Sequence, residues 1–131
     1  MTADAAVLAL ADRLVTALET DDMETLRALY TPDITVWHNF DQRDQDRDQC
    51  LATLAWVGRK MKDRRYDDIR RVITPDGYIQ QHVLRGTAPD GTAVEVPAVL
   101  RVYCDDERIS RIEEYLDTAQ TAALTRRPAP T

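Results

Sequence analysis

Cysteine and histidine are both scarce in this sequence. It contains two cysteines, Cys50 and Cys104, and two histidines, His38 and His82, with no close pair among them. Metal sites built from these residue types need several ligands at short, regular spacings. We therefore predict no metal site, and we expect both cysteines to be buried free thiols rather than a disulfide.

Glycine is scarce as well, and long apolar runs are absent. The four glycines lie mostly in turns and form no glycine-rich phosphate-binding loop, so we predict no nucleotide cofactor. No apolar run approaches the roughly 20 residues that span a bilayer. The first residues also lack the basic segment and apolar core of a secretory signal. We expect a cytoplasmic protein that needs no cofactor and binds no membrane.

Positive charge is in deficit, because 17 Lys and Arg stand against 23 Asp and Glu, for a net charge of −6. Without a basic stripe interleaved with aromatics, nucleic acid is an unfavourable partner. A length of 131 residues suits one core with one modest cavity. We predict a single domain over residues 1–125 and a flexible C-terminal tail at residues 126–131.

The first half of the chain is predicted to be mainly helical. Apolar residues recur at helical spacing over residues 3–19, and Asp21 or Asp22 suits the N-cap of a second, short helix that ends before Pro32. A strand over residues 34–38 follows. A third helix carries an apolar stripe formed by Cys50, Leu54, Val57 and Met61.

The second half predicts an antiparallel meander of four strands joined by turn sequences rich in Pro, Asp and Gly. A short terminal helix is predicted over residues 118–124. The element order therefore indicates an α+β fold. The predicted strands cover residues 66–74, 78–87, 92–104 and 109–116.

Two segments resemble a known family. Tyr-Thr-Pro-Asp-Ile-Thr-Val-Trp-His-Asn at residues 30–39 and Asp-Glu-Arg-Ile-Ser-Arg-Ile-Glu-Glu-Tyr-Leu-Asp at residues 106–117 are similar to segments of SnoaL-like and limonene-epoxide-hydrolase-like proteins of the nuclear transport factor 2-like superfamily. The resemblance covers roughly residues 5–125. It implies a cone-shaped, curved antiparallel sheet wrapped around N-terminal helices. Because this fold carries enzymes and non-catalytic binding modules alike, only the site can decide the function.

The resemblance also implies which residues form the site. Trp37, Asn39 and Asp117 stand where the epoxide hydrolases carry an aromatic, an asparagine and an aspartate. Gln80 and His82 stand where those enzymes carry an arginine and a second aspartate. A glutamine cannot supply the fixed cation of that mechanism, so we expect little or no hydrolysis of limonene oxide.

These five residues suggest acid/base chemistry at one cavity. Strand alternation places Gln80 beside His82, and the similarity to SnoaL-like cyclases implies that Asp117 meets them. Asp117 and His82 would move a proton, Asn39 would hold a water or an oxyanion, and Trp37 and Gln80 would contact substrate. The prediction is a cofactor-free cyclase, isomerase or hydrolase acting on a small apolar oxygenated molecule.

Plainer interpretations stay open for the same residues. Asp117 is also a good N-cap for the terminal helix, and Trp37 and Trp56 also suit core packing. His38 is expected to point away from the side that carries Trp37 and Asn39. The alternatives to an enzyme are a non-catalytic small-molecule-binding module and a dimerisation domain of the same fold.

Strand alternation further predicts how the two faces of the sheet are used. Residues 92–104 carry apolar side chains on one face and Val99 and Tyr103 on the other. A sheet that is apolar on both faces needs a second cover, so we predict a homodimer. Glu113 and Glu114 face opposite sides of their strand, and their spacing does not predict a catalytic carboxylate pair.

Overall fold

Three helices form where the apolar spacing predicts them, in a computed structural model that describes residues 3–126. Asp22 is the N-cap of the second helix and accepts a hydrogen bond from the backbone N–H of Thr25. Asp46 and Gln49 form a capping box at the start of the third helix. The helices are α1 (Ala3–Thr20), α2 (Met23–Leu29) and α3 (Arg47–Lys60).

One curved, unclosed sheet of six strands packs against these helices, in the order β2-β1-β6-β5-β4-β3. β3 to β6 are joined in antiparallel succession, so the predicted meander is confirmed. The α+β fold with N-terminal helices is likewise confirmed. The strands are β1 (Tyr30–His38), β2 (Asp44–Gln45), β3 (Lys62–Thr74), β4 (Gly77–Thr87), β5 (Ala93–Asp105) and β6 (Arg108–Leu116).

The first strand differs from its prediction. β1 begins at Tyr30, and Pro32 lies inside it, within the stretch between Tyr30 and Thr35 where the pairing register shifts. An irregular stretch tolerates proline because no ladder hydrogen bond is needed from its nitrogen. β1 pairs in parallel with β6, so His38 lies directly opposite Glu114. No local pattern predicts this pairing, because the two strands are far apart in the chain.

The chain after the sheet forms a 3₁₀ helix (Thr118–Thr125) where a short terminal helix is predicted. Five of the six residues of the predicted tail, 127–131, lie outside the described residues. Cys50 and Cys104 are free thiols, as predicted, with Cys50 buried and Cys104 half-buried. Among residues 3–126, no helix is long and apolar enough to cross a membrane.

The buried apolar side chains form two clusters. The larger packs α1 and α2 on the sheet and includes Leu14, Leu26 and Ile109. The smaller joins Met61 and β5 to Leu124 of the 3₁₀ helix. Members of both clusters line the same cavity on the concave face of the sheet.

Candidate functional site

The cavity has a volume of about 310 Å³ and is lined mainly by apolar side chains. This volume lies at the lower end of the range found for small-molecule sites, roughly 300–1,000 Å³. α1, α3 and the 3₁₀ helix face the concave side of the sheet across it. Its ionisable lining residues are Tyr30, His38, Cys50, Tyr66, His82 and Glu114.

His38 and Glu114 form one of two polar groups of side chains in the cavity lining. Nε2 of His38 lies 3.1 Å from Oε1 of Glu114, and the two side chains are 13% and 24% exposed. Burial alone lowers the pKa of His38, but the hydrogen bond and charge of Glu114, with the charge of Asp41, outweigh it and raise the pKa of His38 overall. The positive form of His38 is therefore favoured beside the Glu114 carboxylate.

His82 on β4, with its partner Gln80, forms the second polar group. It is buried, and its Nδ1 lies 2.9 Å from Nε2 of Gln80. Oε1 of Gln80 accepts a hydrogen bond of 2.9 Å from Nε of Arg71, and Asp12 pairs with Arg71 at 2.6 Å. Burial, supported by the charge of Arg71 and opposed by that of Glu114, lowers the pKa of His82, so the neutral imidazole is favoured.

The remaining ionisable residues of the cavity stay protonated at neutral pH. Burial, followed by the charge of Glu114, raises the pKa of Cys50 to about 12. Burial is the main cause that raises the pKa values of Tyr30 and Tyr66 above their usual range, and the charge of Glu114 adds to it in both. Tyr66 packs edge-on against the His82 ring, with 4.8 Å between ring centroids. These groups therefore add hydrogen-bonding capacity and shape but no negative charge.

The structure does not bring all five predicted site residues together. His82 lines the cavity, and Gln80 is buried behind it as its hydrogen-bond partner rather than as a lining residue. Trp37 projects from the opposite face of β1, where its ring packs edge-on against exposed Tyr115 at 5.3 Å. The placement of Trp37 as a cavity wall is therefore corrected. Trp56, expected in core packing, is half-buried and lines the cavity.

Asn39 and Asp117 are also outside the cavity, and each is engaged with the backbone. Oδ1 of Asn39 accepts a hydrogen bond from the N–H of Leu116, which extends the contact between β1 and β6. Asp117 is exposed and caps the 3₁₀ helix by accepting from the N–H of Ala119. The expected meeting of Asp117 with His82 is therefore corrected in favour of the capping interpretation.

The charged pair of the cavity consists of residues that the sequence interpretation set aside. His38 was expected to face away from the cavity and Glu114 was not predicted as a site residue, yet both line it. The alternation on β1 already contained the signal, because Ile34 and Val36 are buried and His38 shares their face. On β6 the same parity places Glu114 as a lone carboxylate on the face of Ile112.

The ionisable groups of the cavity do not form a metal-ligand set. Within the described part of the chain, no three His, Cys, Asp or Glu side chains converge so as to hold a metal ion. His38 is engaged with Glu114, and Nδ1 of His82 is engaged with Gln80.

Comparison with known proteins gives the family. The model of a family described as the SnoaL-like domain matches residues 11–112. The chain belongs to the SnoaL-like domain family. No protein with a curated description matches the sequence. The matched residues cover α2, α3, the larger part of α1 and of the sheet, and most of the cavity lining, whereas Glu114 and the 3₁₀ helix lie beyond them.

Solved structures share this SnoaL-like fold at low sequence identity. IdmH from Streptomyces antibioticus, proposed to be a polyketide cyclase, is 21% identical with a TM-score of 0.79, over 90% of this chain and 96% of that chain. PrhC from Penicillium brasilianum is 15% identical with a TM-score of 0.80, over 91% and 85% of the two chains. A protein with a ketosteroid isomerase-like fold from Catenulispora acidiphila, in complex with trimethylamine, is 15% identical with a TM-score of 0.76, over 88% and 91%.

Proposed function

We propose that this protein is a cofactor-free enzyme that moves a proton at a carbon beside a carbonyl group of a small, largely apolar molecule, as a cyclase or isomerase does. The observation that carries the proposal is the Glu114 carboxylate, paired with His38 inside an apolar cavity that also contains His82. Glu114 takes the role that the sequence interpretation gave to Asp117. The similarity of fold to IdmH agrees with this class of reaction.

Glu114 is suited to act as the base. Its Oε1 is held by His38, whereas Oε2 has no hydrogen-bond partner among the described residues. In the proposed reaction Oε2 accepts the proton from the carbon, and the electron pair of the broken C–H bond moves onto the carbonyl oxygen to form an enolate. The protonated carboxyl group then returns the proton to another carbon, or to the alkoxide formed when the enolate attacks a second carbonyl.

His38 and His82 have different tasks in this scheme. His38 acts through Glu114, because the contact of its positive form with Oε1 keeps the carboxylate oriented. His82 is the polar group placed to contact the substrate oxygen. Apolar surroundings strengthen both interactions, since water is excluded from the bound substrate.

Exchange of α-hydrogens with deuterium tests the proposal without knowledge of the natural substrate. The probe is 2-tetralone, a bicyclic ketone with acidic α-hydrogens, incubated with the protein in D₂O and followed by proton NMR. We expect the wild-type protein to accelerate exchange and Glu114→Gln to reduce that acceleration by roughly 10²–10⁴-fold, the usual contribution of one positioned base.

Glu113→Gln is the matched control. Glu113 is the neighbouring carboxylate, but it faces the outer side of the sheet, where it accepts hydrogen bonds from Tyr103 and Arg111. We expect Glu113→Gln to leave exchange unchanged. Exchange that is equally fast in wild type and Glu114→Gln would refute the proposed base.

A non-catalytic binding module is the alternative within the same cavity. It predicts that the wild-type protein binds the ketone, measured by quenching of the Trp56 fluorescence in a Trp37→Phe background, without accelerating exchange. A dimerisation domain whose cavity is filled by its own side chains is disfavoured by the open volume of about 310 Å³.

We also propose that the protein is a homodimer formed through the outer face of the sheet. Apolar side chains are exposed there, with Ile69 at 36%, Val72 at 65% and Tyr115 at 50%. Such a surface is stabilised when a second sheet covers it. Sedimentation at micromolar concentration should give a dimer, and Tyr115→Glu should shift it towards monomer; a monomeric wild type would contradict the proposal.

A further inference from the structure

The orientation of the Gln80 side chain follows from its partner on β3. Arginine has only hydrogen-bond donors, so the group of Gln80 that faces Nε of Arg71 must be the carbonyl oxygen Oε1. The other end of the amide, Nε2, then faces Nδ1 of His82 at 2.9 Å. Because an amide NH₂ only donates, Nδ1 must be the acceptor.

We propose that Arg71 and Gln80 are positioning residues that hold His82 as the Nε2–H tautomer, so that the cavity presents a fixed hydrogen-bond donor to a carbonyl oxygen of the bound molecule. Nε2 has no partner among the described residues, and His82 lines the cavity. Asp12 completes the relay by pairing with Arg71 from α1. His82 is therefore an electrophilic contact and not a second base.

The neighbours of His82 agree with a neutral ring. Protonation would place an N–H at Nδ1 against the amide N–H of Gln80, and the charge of Arg71 on β3 opposes it further. Tyr66, also on β3, meets the ring edge-on. The carboxylate of Glu114 on β6 is the group that favours protonation, and it is engaged with His38 on β1. On β5 the residue opposite His82 is Ala98, which carries no charge.

The tautomer has a specific consequence for ligand choice. A donor at Nε2 selects an acceptor oxygen, such as that of a ketone, and it strengthens as an enolate develops negative charge on that oxygen. This catalytic consequence rests on the proposed function, whereas the tautomer itself does not. An experiment can therefore refute the catalytic role of His82 without refuting its tautomer, and the reverse.

Nitrogen NMR of the imidazole rings measures the tautomer directly. In protein labelled with ¹⁵N-histidine, the His38→Gln spectrum assigns the signals of His82. We expect wild-type His82 to be predominantly neutral with the proton on Nε2 from pH 6 to pH 8. A proton on Nδ1 in the wild type would overturn the proposal without reference to any variant.

Gln80→Glu tests the relay. A carboxylate at this position still accepts from Arg71 but also accepts from His82, so we expect the proton population to shift from Nε2 to Nδ1 and the pKa of His82 to rise. Gln81→Glu is the matched control, because Gln81 is exposed on the other face of β4 and should leave the His82 signals in place. Identical His82 spectra in wild type and Gln80→Glu would refute the relay. Loss of ketone exchange in Glu114→Gln with an unchanged His82 tautomer would support both proposals independently.

Discussion

Replacing Glu114 by glutamine keeps the shape of the side chain but removes the charge that faces His38. The Coulomb energy of unit charges at the observed 3.1 Å is about 5 kcal/mol at an effective dielectric constant of about 20. Desolvation of the two half-buried groups offsets much of this energy. We therefore expect a net coupling free energy of roughly 1.5–3 kcal/mol, the range of hydrogen bonds to charged groups.

The coupling should depend on pH in a direction that follows from the pKa of His38. That pKa is raised in the folded protein, above an unfolded value of about 6.5. The stabilisation is therefore complete below the unfolded pKa and is lost as the pH rises through the folded pKa. Glu114→Gln should accordingly cost more free energy of unfolding at pH 5.5 than at pH 8.5.

A double-mutant cycle measures this coupling. Urea unfolding of wild type, Glu114→Gln, His38→Gln and the double variant gives the coupling free energy at each pH. The control cycle uses Arg111 and Glu113, an ion pair at 3.3 Å on the outer face, whose guanidinium does not titrate between these pH values. A coupling of His38 with Glu114 that is zero within error, or equal at both pH values, would refute the reasoning.

Further predictions concern the other groups of the site. The pKa of His82 is lowered in the folded protein, so the stability that its neutral form contributes is present above about pH 6.5 and is lost as the pH falls. The His82→Gln variant lacks this titration. Its free energy of unfolding in urea should therefore fall less between pH 7 and pH 5 than that of the wild type. Ala98→Leu adds carbons beside His82 in the cavity and should weaken 2-tetralone binding about tenfold by titration calorimetry; unchanged affinity would place the ligand elsewhere. Asp117→Ala removes the cap on Ala119 and should cost about 1 kcal/mol of unfolding free energy with an unchanged exchange rate, whereas a large loss of exchange would restore Asp117 to the site.

Much of the fold was predictable because local signals agree with one another. Asp22 caps α2 as its position before a short apolar pattern indicates, and the turn that ends at Gly77 separates β3 from β4. Strand starts were less predictable. β3 begins at Lys62 rather than Tyr66, because a charged beginning such as Lys62 to Arg65 has no apolar alternation to reveal it.

The candidate site was only partly predictable. The contact of His82 with Gln80 followed from strand alternation, since residues two apart share a face, whereas the place of His82 at the cavity was implied by the family pattern. Trp37, Asn39 and Asp117 were placed at the cavity through their positions in a family pattern. Side chains on a strand alternate between faces, so an error of one residue in register moves a residue from the cavity to the outer surface.

The sequence by itself determined the three helices, the N-cap of α2 and the antiparallel meander, because these depend on residues close together in the chain. Only the tertiary structure decided that His38 meets Glu114, since the parallel pairing of β1 with β6 aligns strands from opposite ends of the chain. The same holds for the link from Asp12 on α1 through Arg71 to Gln80. Contacts between distant elements depend on how the whole sheet curves around its helices, and no local spacing contains that information.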